Sequence, residues 1–280
     1  MTLVKCAACT MIYADPISPD MASGRYYHQA GEDYYLSKNK LAGDYATVRF
    51  ERELSLFRKF CPSGKILDVG CSTGGFLYQL TRRFPGAYDL MGTDVSGPAL
   101  DYAASKGLKV LPGDFLRIDL TNLDAVTFWA VLEHLENPRA FLEKAARMLK
   151  PNGLCFVLVP NFGSLAVRLL GSRYRYIYPQ HVNYFTQRTV AHLVEPRFEI
   201  IHTRYTHFNP IVIWQDWRRA GKDVSNQERA ELLARTNRMK QIALFAPARA
   251  LYRLTESAVG SVGLADNIAV VFRKRDRSAE

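Results

Sequence analysis

Three aspartates stand at comparable places in a recurring local pattern. Asp68 falls in "KILDVGCSTGGFL", Asp94 in "MGTDVS" and Asp114 in "LPGDF", each at the end of a short apolar run. The first is followed by small residues and a second apolar run. A phosphate loop of the G-x-x-x-x-G-K-[ST] type needs a lysine to reach the phosphates, and "GCSTGGFL" has none, so that chemistry is excluded. A dinucleotide fingerprint aligned on Gly70 puts Ser72 where a second glycine would approach a pyrophosphate, although Gly75 could serve as the third. A third reading takes Asp68, Gly70 and Gly74 as D-x-G-x-x-x-G, a sharp backbone turn against a small ligand. Asp94, 26 residues after Asp68, can accept hydrogen bonds from both hydroxyls of a ribose. Asp114 can accept from the exocyclic amine of an adenine, and the Phe115 ring can stack on the base. Aspartate is also common at helix N-caps, where its role is structural. Three acids at three successive element ends nevertheless point to a nucleoside pocket.

These residues require a particular scaffold. "KILDVG", "YDLMGTDVS", "KVLPGDF", the start of "LDAVTFWAVLEHL" and "LCFVLVPN" read as strands; "GGFLYQLTRRF", "PALDYAASKG" and "PRAFLEKAARMLKPNG" read as helices between them. Strands alternating with helices of this length predict a parallel, doubly wound α/β sheet, and the continuous apolar run of "LCFVLVPN" suits a strand covered on both faces. The residues before it are tyrosine-rich and punctuated by Pro16, Pro19 and Gly24, which predicts an irregular extension over residues 1–45. A helix is expected from about Asp44 to Phe60, with Val48, Leu54, Leu56 and Phe57 on its apolar side. The core is expected over 46–207, with "RFEIIHTRYTHF" as a strand. A helical insertion follows over 208–265, chiefly one long helix from about Asn226 to Thr255 broken at Pro247, and "NIAVVFRKR" in 266–280 gives a last core strand and a basic tail.

The bulk properties narrow the class. With 280 residues, 48% of them hydrophobic, the chain can bury a full core. It shows no run of about 18 uncharged apolar residues and no apolar h-region in "MTLVKCAACT", so a cytoplasmic protein is expected. Five cysteines, mostly in apolar segments, suit reduced thiols better than a disulfide framework. The formal charge of +10 is unevenly placed: residues 1–160 carry 18 Lys and Arg against 17 Asp and Glu, and 161–280 carry 19 against 10. A basic half of this kind is either a solvated face or a surface for an anionic substrate, a lipid surface or nucleic acid.

Taken together, "ILDVGCSTGGFL", "MGTDVS", "PGDF", "LDAVTFWAVLEHLENP" and "MLKPNGLCFVLVPN" resemble, in order and spacing, the class I S-adenosylmethionine-dependent methyltransferases over residues 46–205. The resemblance implies a Rossmann-like seven-stranded sheet with S-adenosylmethionine across its carboxyl edge. It assigns the cofactor to Asp68, Gly70, Cys71, Ser72 and Gly74, to Asp94 and Val95, to Asp114 and Phe115, and to Trp129. Ser72 departs from the glycine of many relatives but is small enough to keep binding. "CAACTMIYADPIS", the tyrosine pairs at 26–27 and 34–35 and "QHVNYFTQRTVAHL" resemble the small-molecule branch, which includes sugar and natural-product methyltransferases.

Methyl transfer from a sulfonium is an in-line displacement, helped by a general base when the acceptor is a hydroxyl or a carbon acid. Of six histidines, His28 lies in the extension, and His192, His202 and His207 lie in helix or strand patterns. His181, in "YIYPQHVNYF" with Asn183 and Tyr184, is the expected base or orienting group, and His134 is a second candidate. Some related O-methyltransferases carry E-x-x-E-H and hold a divalent ion there; here Ala130 replaces the first acid, so no metal site is expected at Glu133 and His134. Cys6 and Cys9 form a lone C-x-x-C with no second pair, too few ligands for a structural zinc. Tyr26, Tyr27, Tyr34 and Tyr35 form either a lid over cofactor and acceptor or a cover on the core.

The expected acceptor is a small molecule, a sugar, glycan precursor or natural-product intermediate, with a phosphate that the basic half could recognise. RNA is the alternative acceptor, but "TFWAV" is not the N-P-P-[YF] motif of DNA amino-methylating enzymes and no separate RNA-binding module is evident, so nucleic acid is not the expected partner. A third alternative is a homologue that keeps the cofactor pocket without turnover. The insertion's mixed leucines and arginines suit helix packing or a homodimer, with peripheral contact to an anionic membrane as the sharper alternative.

Overall fold

The computed structural model describes residues 2–22, 24–29, 34–219, 224–241 and 246–275. The chain runs through a hairpin, β1 (Thr2–Lys5) and β2 (Ile12–Asp15), then α1 (Pro19–Ala22), α2 (Arg25–Gln29), α3 (Lys38–Asp44) and α4 (Glu51–Phe60). The alternating core follows: β3 (Gly64–Val69), α5 (Gly75–Arg83), β4 (Tyr88–Asp94), α6 (Gly97–Ser105), β5 (Lys109–Pro112), β6 (Leu123–Trp129), α7 (Pro138–Met148) and β7 (Leu149–Pro160). Then come α8 (Leu165–Leu170), β8 (Asn183–Tyr184), α9 (Gln187–Val194), β9 (Phe198–Thr206), α10 (Pro210–Arg219), α11 (Asn226–Gln241), α12 (Ala246–Ser261) and β10 (Asn267–Lys274).

Seven strands form one sheet in the order β5-β4-β3-β6-β7-β10-β9, parallel through β7, with β10 antiparallel to both its neighbours. The chain winds outward from β3 to β5, then returns to place β6 on the other side of β3. This reversal opens a crevice at the carboxyl ends of β3 and β6, where ligands bind in doubly wound sheets. The two faces are filled by separate clusters. Leu67, Val126, Phe128, Val157 and Phe272 point toward α7 and α9, while Ile66, Ala125, Phe156 and Val271 point toward Leu54 and Phe57 of α4 and Leu77 of α5. Alternation of neighbours between faces is the period-two geometry of a strand. Truncating Phe128 or Phe156, both fully buried, would cost about 3–5 kcal/mol. No helix among the described residues is long and apolar enough to cross a membrane.

The N-terminal segment departs from the irregular extension expected of it. β2 pairs with β1 on one side and with β8 on the other, through Tyr13↔Asn183 and Ile12↔Tyr184, so residues far apart in sequence share a three-stranded sheet. Four-residue strands carry too little alternation to stand out in a sequence, and these are stabilised by a partner some 170 positions away. The helix expected from about Asp44 to Phe60 forms only over Glu51–Phe60: α3 ends at Asp44, and turns separate it from α4. In the insertion, α10 precedes the long helical stretch, which is itself divided; Pro247 stands in the first turn of α12, where a missing N–H costs nothing. Residues 242–245 and the end of the basic tail, 276–280, lie outside the described residues.

Candidate functional site

The turn after β3 is built by backbone strain that only small residues tolerate. Gly70 and Gly74 have φ of 72° and 80°, and a Cβ on Gly70 would lie 2.5 Å from Val131 Cγ2. Ser72, with φ of 52°, occupies the left-handed region too, which gives a physical reason for glycine at this position. Asp94, at the end of β4, holds the turn: its Oδ2 accepts from Ser72 N at 2.8 Å and its Oδ1 from Ser96 N at 2.9 Å. Burial raises its carboxyl above the usual range, against those backbone hydrogen bonds. Tyr35 lies close to it; burial first, and the Asp94 charge second, push that phenol up. Asp68 is turned inward, accepting from Thr127 Oγ1 at 2.5 Å, and burial lifts it to about 7. From α3, Asp44 and Tyr45 brace the turn at Thr73.

The structure places the other expected cofactor residues unevenly. Val95 is exposed and Cys71 buried beside Gly92. Asp114 caps a short 3-10 turn through Leu116 N at 2.9 Å. Phe115, expected against an adenine ring, is 3% exposed, stacked on Phe141 and edge-on to Phe128: it is a core residue that anchors the turn bearing Asp114. Trp129 packs between Phe76 and Phe156 at the end of β6, and its Nε1 is buried without a hydrogen-bond partner. Ser72 Oγ and Ser96 Oγ are likewise buried and unpartnered. Such orphaned polar atoms around the β3, β4 and β6 ends fit a polar ligand that would complete them.

Past β6, the turn Leu132–His134 faces the loop that precedes β8. There Glu133, His134 and His181 come together, with Glu133 Oε1 4.0 Å from Nε2 of each histidine and the two rings 4.8 Å apart. Both imidazoles are fixed from behind. His134 Nδ1 lies 2.8 Å from Gln180 O and 2.7 Å from Tyr27 Oη; His181 Nδ1 lies 2.9 Å from Tyr176 O. A carbonyl oxygen can only accept, so each Nδ1 carries the proton and each Nε2 turns a lone pair toward Glu133. Glu133 is 1% exposed with Oε2 unpartnered, and burial raises its carboxyl to about 8. Burial lowers His134 to about 4 and His181 well below the ordinary imidazole range. The same three groups, with ligand atoms all within 4.8 Å of one another, form a donor set able to hold a divalent cation.

Tyrosines enclose this cluster. Tyr26 Oη accepts from Gln180 Nε2 at 2.6 Å, the Tyr178 ring lies 4.4 Å from His181, and Tyr184 donates its hydroxyl to Tyr178 O at 3.3 Å. Asn183 ties β8 to the 132–134 turn by donating to Leu135 O at 2.6 Å. From the insertion, Arg229 stacks on Tyr178 at 4.0 Å and donates to Arg175 O. Sequence reasoning had no part for Glu133, Tyr178, Gln180 or Arg229 in proton chemistry; the tyrosine density of "YRYIYPQH" is the signal that could have raised the first loop residues. Of the remaining candidates, His202 sits against Phe60 and His207 among Arg52, Glu53 and Glu256, away from this cluster. Cys6 and Cys9 are free thiols in the β1–β2 hairpin, where hydrogen bonds around Cys9 lower Cys6.

Known proteins share the domain and the fold. A family model described as a methyltransferase domain matches residues 44–202. A malonyl-[acyl-carrier protein] O-methyltransferase from Hahella chejuensis is 32% identical over 117 residues, which cover 39% of this chain and 41% of that protein. A ubiquinone biosynthesis O-methyltransferase from Bradyrhizobium diazoefficiens is 30% identical over 145 residues, covering 47% and 54%. The match thus spans about half the length of these curated relatives. In fold, the N-methyltransferase NodS from Bradyrhizobium japonicum, solved with S-adenosyl-l-homocysteine, is similar with a TM-score of 0.51 at 15% identity, over 89% of this chain and 98% of that one. Because the family model runs across more than half of the chain, from the end of α3 to the middle of β9, the chain belongs to the class I S-adenosylmethionine-dependent methyltransferases.

Proposed function

We propose that the chain methylates a hydroxyl of a small, ring-bearing acceptor such as a sugar, a glycan precursor or a natural-product intermediate. The observation that carries this reading is the convergence of His134 and His181 Nε2 on the buried Glu133, just past the end of β6. S-adenosylmethionine, when bound, supplies an electrophilic methyl on a sulfonium. Asp94, the Gly70–Gly74 turn and Asp114 would hold it, and the orphaned Ser72 Oγ and Trp129 Nε1 fit a polar ligand there. The chain's own task at the acceptor is proton removal. The acceptor O–H bond breaks as its proton passes to a neutral imidazole Nε2, and Glu133, in the ionised form that grows as pH rises through about 8, stabilises the imidazolium from 4.0 Å away. His134 is the better placed to meet an acceptor, since its side chain is 21% exposed against 5% for His181. His181 and Tyr184 position it, and the surrounding tyrosines offer ring faces and hydroxyls to a sugar or aromatic acceptor. The two similar enzymes quoted above are both named as O-methyltransferases, which supports oxygen as the methylated atom.

A divalent cation held by Glu133, His134 and His181 is a second reading, favoured by the carbonyl that orients each imidazole from behind, a feature of ligating histidines. The test is transfer of labelled methyl to a panel of nucleotide sugars, phenols and RNA, with binding of S-adenosylhomocysteine followed by calorimetry. Transfer to a hydroxylated small molecule is expected. Asp94→Ala should weaken cofactor binding roughly 10- to 100-fold, the effect of a hydrogen bond to a charged group worth about 1.5–3 kcal/mol. His181→Ala should retain binding and lose turnover. Unchanged turnover after dialysis against EDTA supports the proton reading, and its loss supports the cation; transfer to RNA alone, or no cofactor binding, overturns the proposal.

A further inference from the structure

One side of α10, "PIVIWQDWRR", is consumed by the fold. Val212 is buried, and the buried Asp216 is occupied by Arg175, which donates to it at 2.6–3.0 Å. The other side is not. Ile211, Trp214 and Trp217 are 61%, 54% and 62% exposed, and their spacing of three residues lays them along one stripe of the helix. α8, which packs on α10 through the cluster around Ala166, Leu170 and Val212, adds Leu169 at 64% exposure.

Charge on the two helices and the loop after α8 is mainly basic, with Glu228 and Glu231 of the neighbouring α11 as the acids beside it. Residues 165–178 and 210–219 contain five arginines and a single acid, Asp216, already spent on Arg175. Arg168, Arg173 and Arg218 are exposed, and the Arg218 guanidinium lies over the Trp214 ring at 4.8 Å. Between α10 and α11 a cavity of about 380 Å³ is lined by Trp214, Arg218, Arg219 and Arg235, with Glu228 pairing Arg219. Four side chains of at most ~250 Å² each, about six-tenths exposed, offer no more than ~600 Å², below the ~800 Å² per partner of a standard interface. Half-exposed tryptophans rimmed by arginine suit a lipid–water interface, where the ring sits at headgroup depth and the guanidinium meets phosphate.

We infer that the α8–α10 face docks on an anionic lipid bilayer. This goes beyond the proposed reaction and stands whatever the acceptor. The test is co-flotation of the full chain with phosphatidylglycerol/phosphatidylcholine vesicles against phosphatidylcholine alone. Trp214 and Trp217 are two of the chain's three tryptophans, so emission should shift blue and be quenched by brominated lipid. Binding should depend on phosphatidylglycerol and be lost in high salt. It should fall at least tenfold in Trp214→Ala/Trp217→Ala and roughly fivefold for each of Arg168, Arg173 and Arg218 changed to Gln, the ~1 kcal/mol per basic residue near an anionic surface. S-adenosylhomocysteine affinity, unchanged, reports that the variants fold. The inference is overturned by wild-type binding in the aromatic variant, by no preference for phosphatidylglycerol, by unquenched tryptophan, or by a wild-type dimer that the aromatic variant dissociates.

Discussion

At the scale of single residues, the candidate site divides into the backbone turn around Gly70 and Asp94 and the buried cluster of Glu133, His134 and His181. Asp94, Gly70 and Gly74 were legible in the sequence because their roles are local: a tight turn needs left-handed backbone, and the acid follows from its place at a strand end. Phe115 is expected from sequence against an adenine and lies stacked on Phe141 in the core, because an aromatic beside a polar residue looks the same in sequence whether it faces a ligand or the core. The character of Glu133 is not legible in the sequence, since it comes from burial. With its carboxyl raised to about 8, it is protonated at neutral pH until a cationic neighbour arrives, and its base form grows as pH rises through that value. Infrared difference spectra of wild type minus Glu133→Gln should therefore show a carboxyl losing its proton near pH 8, and turnover should rise with pH over the same range. A titration in the ordinary carboxylate range would contradict the assignment.

At the scale of elements, the site depends on short pieces that have no stability alone. β8 is two residues long, yet it carries the loop bearing His181 and is held by β2 on one side and by Asn183 on the other. Asn183 is 8% exposed and donates to Leu135 O at 2.6 Å and to Leu132 O at 3.5 Å. Removing it in Asn183→Ala leaves the part-buried Leu135 carbonyl without its side-chain donor, at about 2 kcal/mol. For a chain of this size that corresponds to a fall in melting temperature of roughly 4–8 °C. Cofactor affinity should stay within about twofold, because the glycine turn and Asp94 hang on β3 and β4, while turnover should fall. Equal loss of cofactor binding would show that the two halves of the site are not separable.

At the scale of the whole molecule, a buried charge chain fastens the insertion to the core. Arg52 of α4 donates to His207 Nδ1 at 3.1 Å and pairs with Glu256 of α12, which accepts from His207 N at 2.6 Å. With Nδ1 accepting, His207 presents Nε2–H to Glu53 Oε1 at 3.5 Å. Burial alone would raise the Glu53 carboxyl, but the hydrogen bond from His207 and the nearby charges bring it down to about 2. A carboxyl held below its unfolded value stabilises the fold above the ordinary carboxylate range and loses that contribution as pH falls toward the folded value. Stability should accordingly drop between about pH 4.5 and pH 2, and Glu53→Gln should flatten that part of the curve in denaturant melts taken across it. An unchanged slope in the variant would rule out Glu53 as the source.

The sequence by itself determined the alternating sheet, the glycine turn and the acid at the end of β4, since apolar period, strand length and turn chemistry are local properties written in consecutive residues. The count of seven strands follows from the resemblance to the methyltransferase family, and the strand order, with its antiparallel β10, is a property of the folded sheet. Only the tertiary structure decided that "TLVKCAACTMIYAD" is a hairpin on β8, that Phe115 is buried in the core, and that Glu133 and His134 meet His181 from 48 and 47 residues away. It also decided which face of α10 is left to solvent. The physical reason is the same in each case. Burial and side-chain convergence are properties of pairs distant in sequence, and a local pattern fixes what an element is without fixing what it will be pressed against.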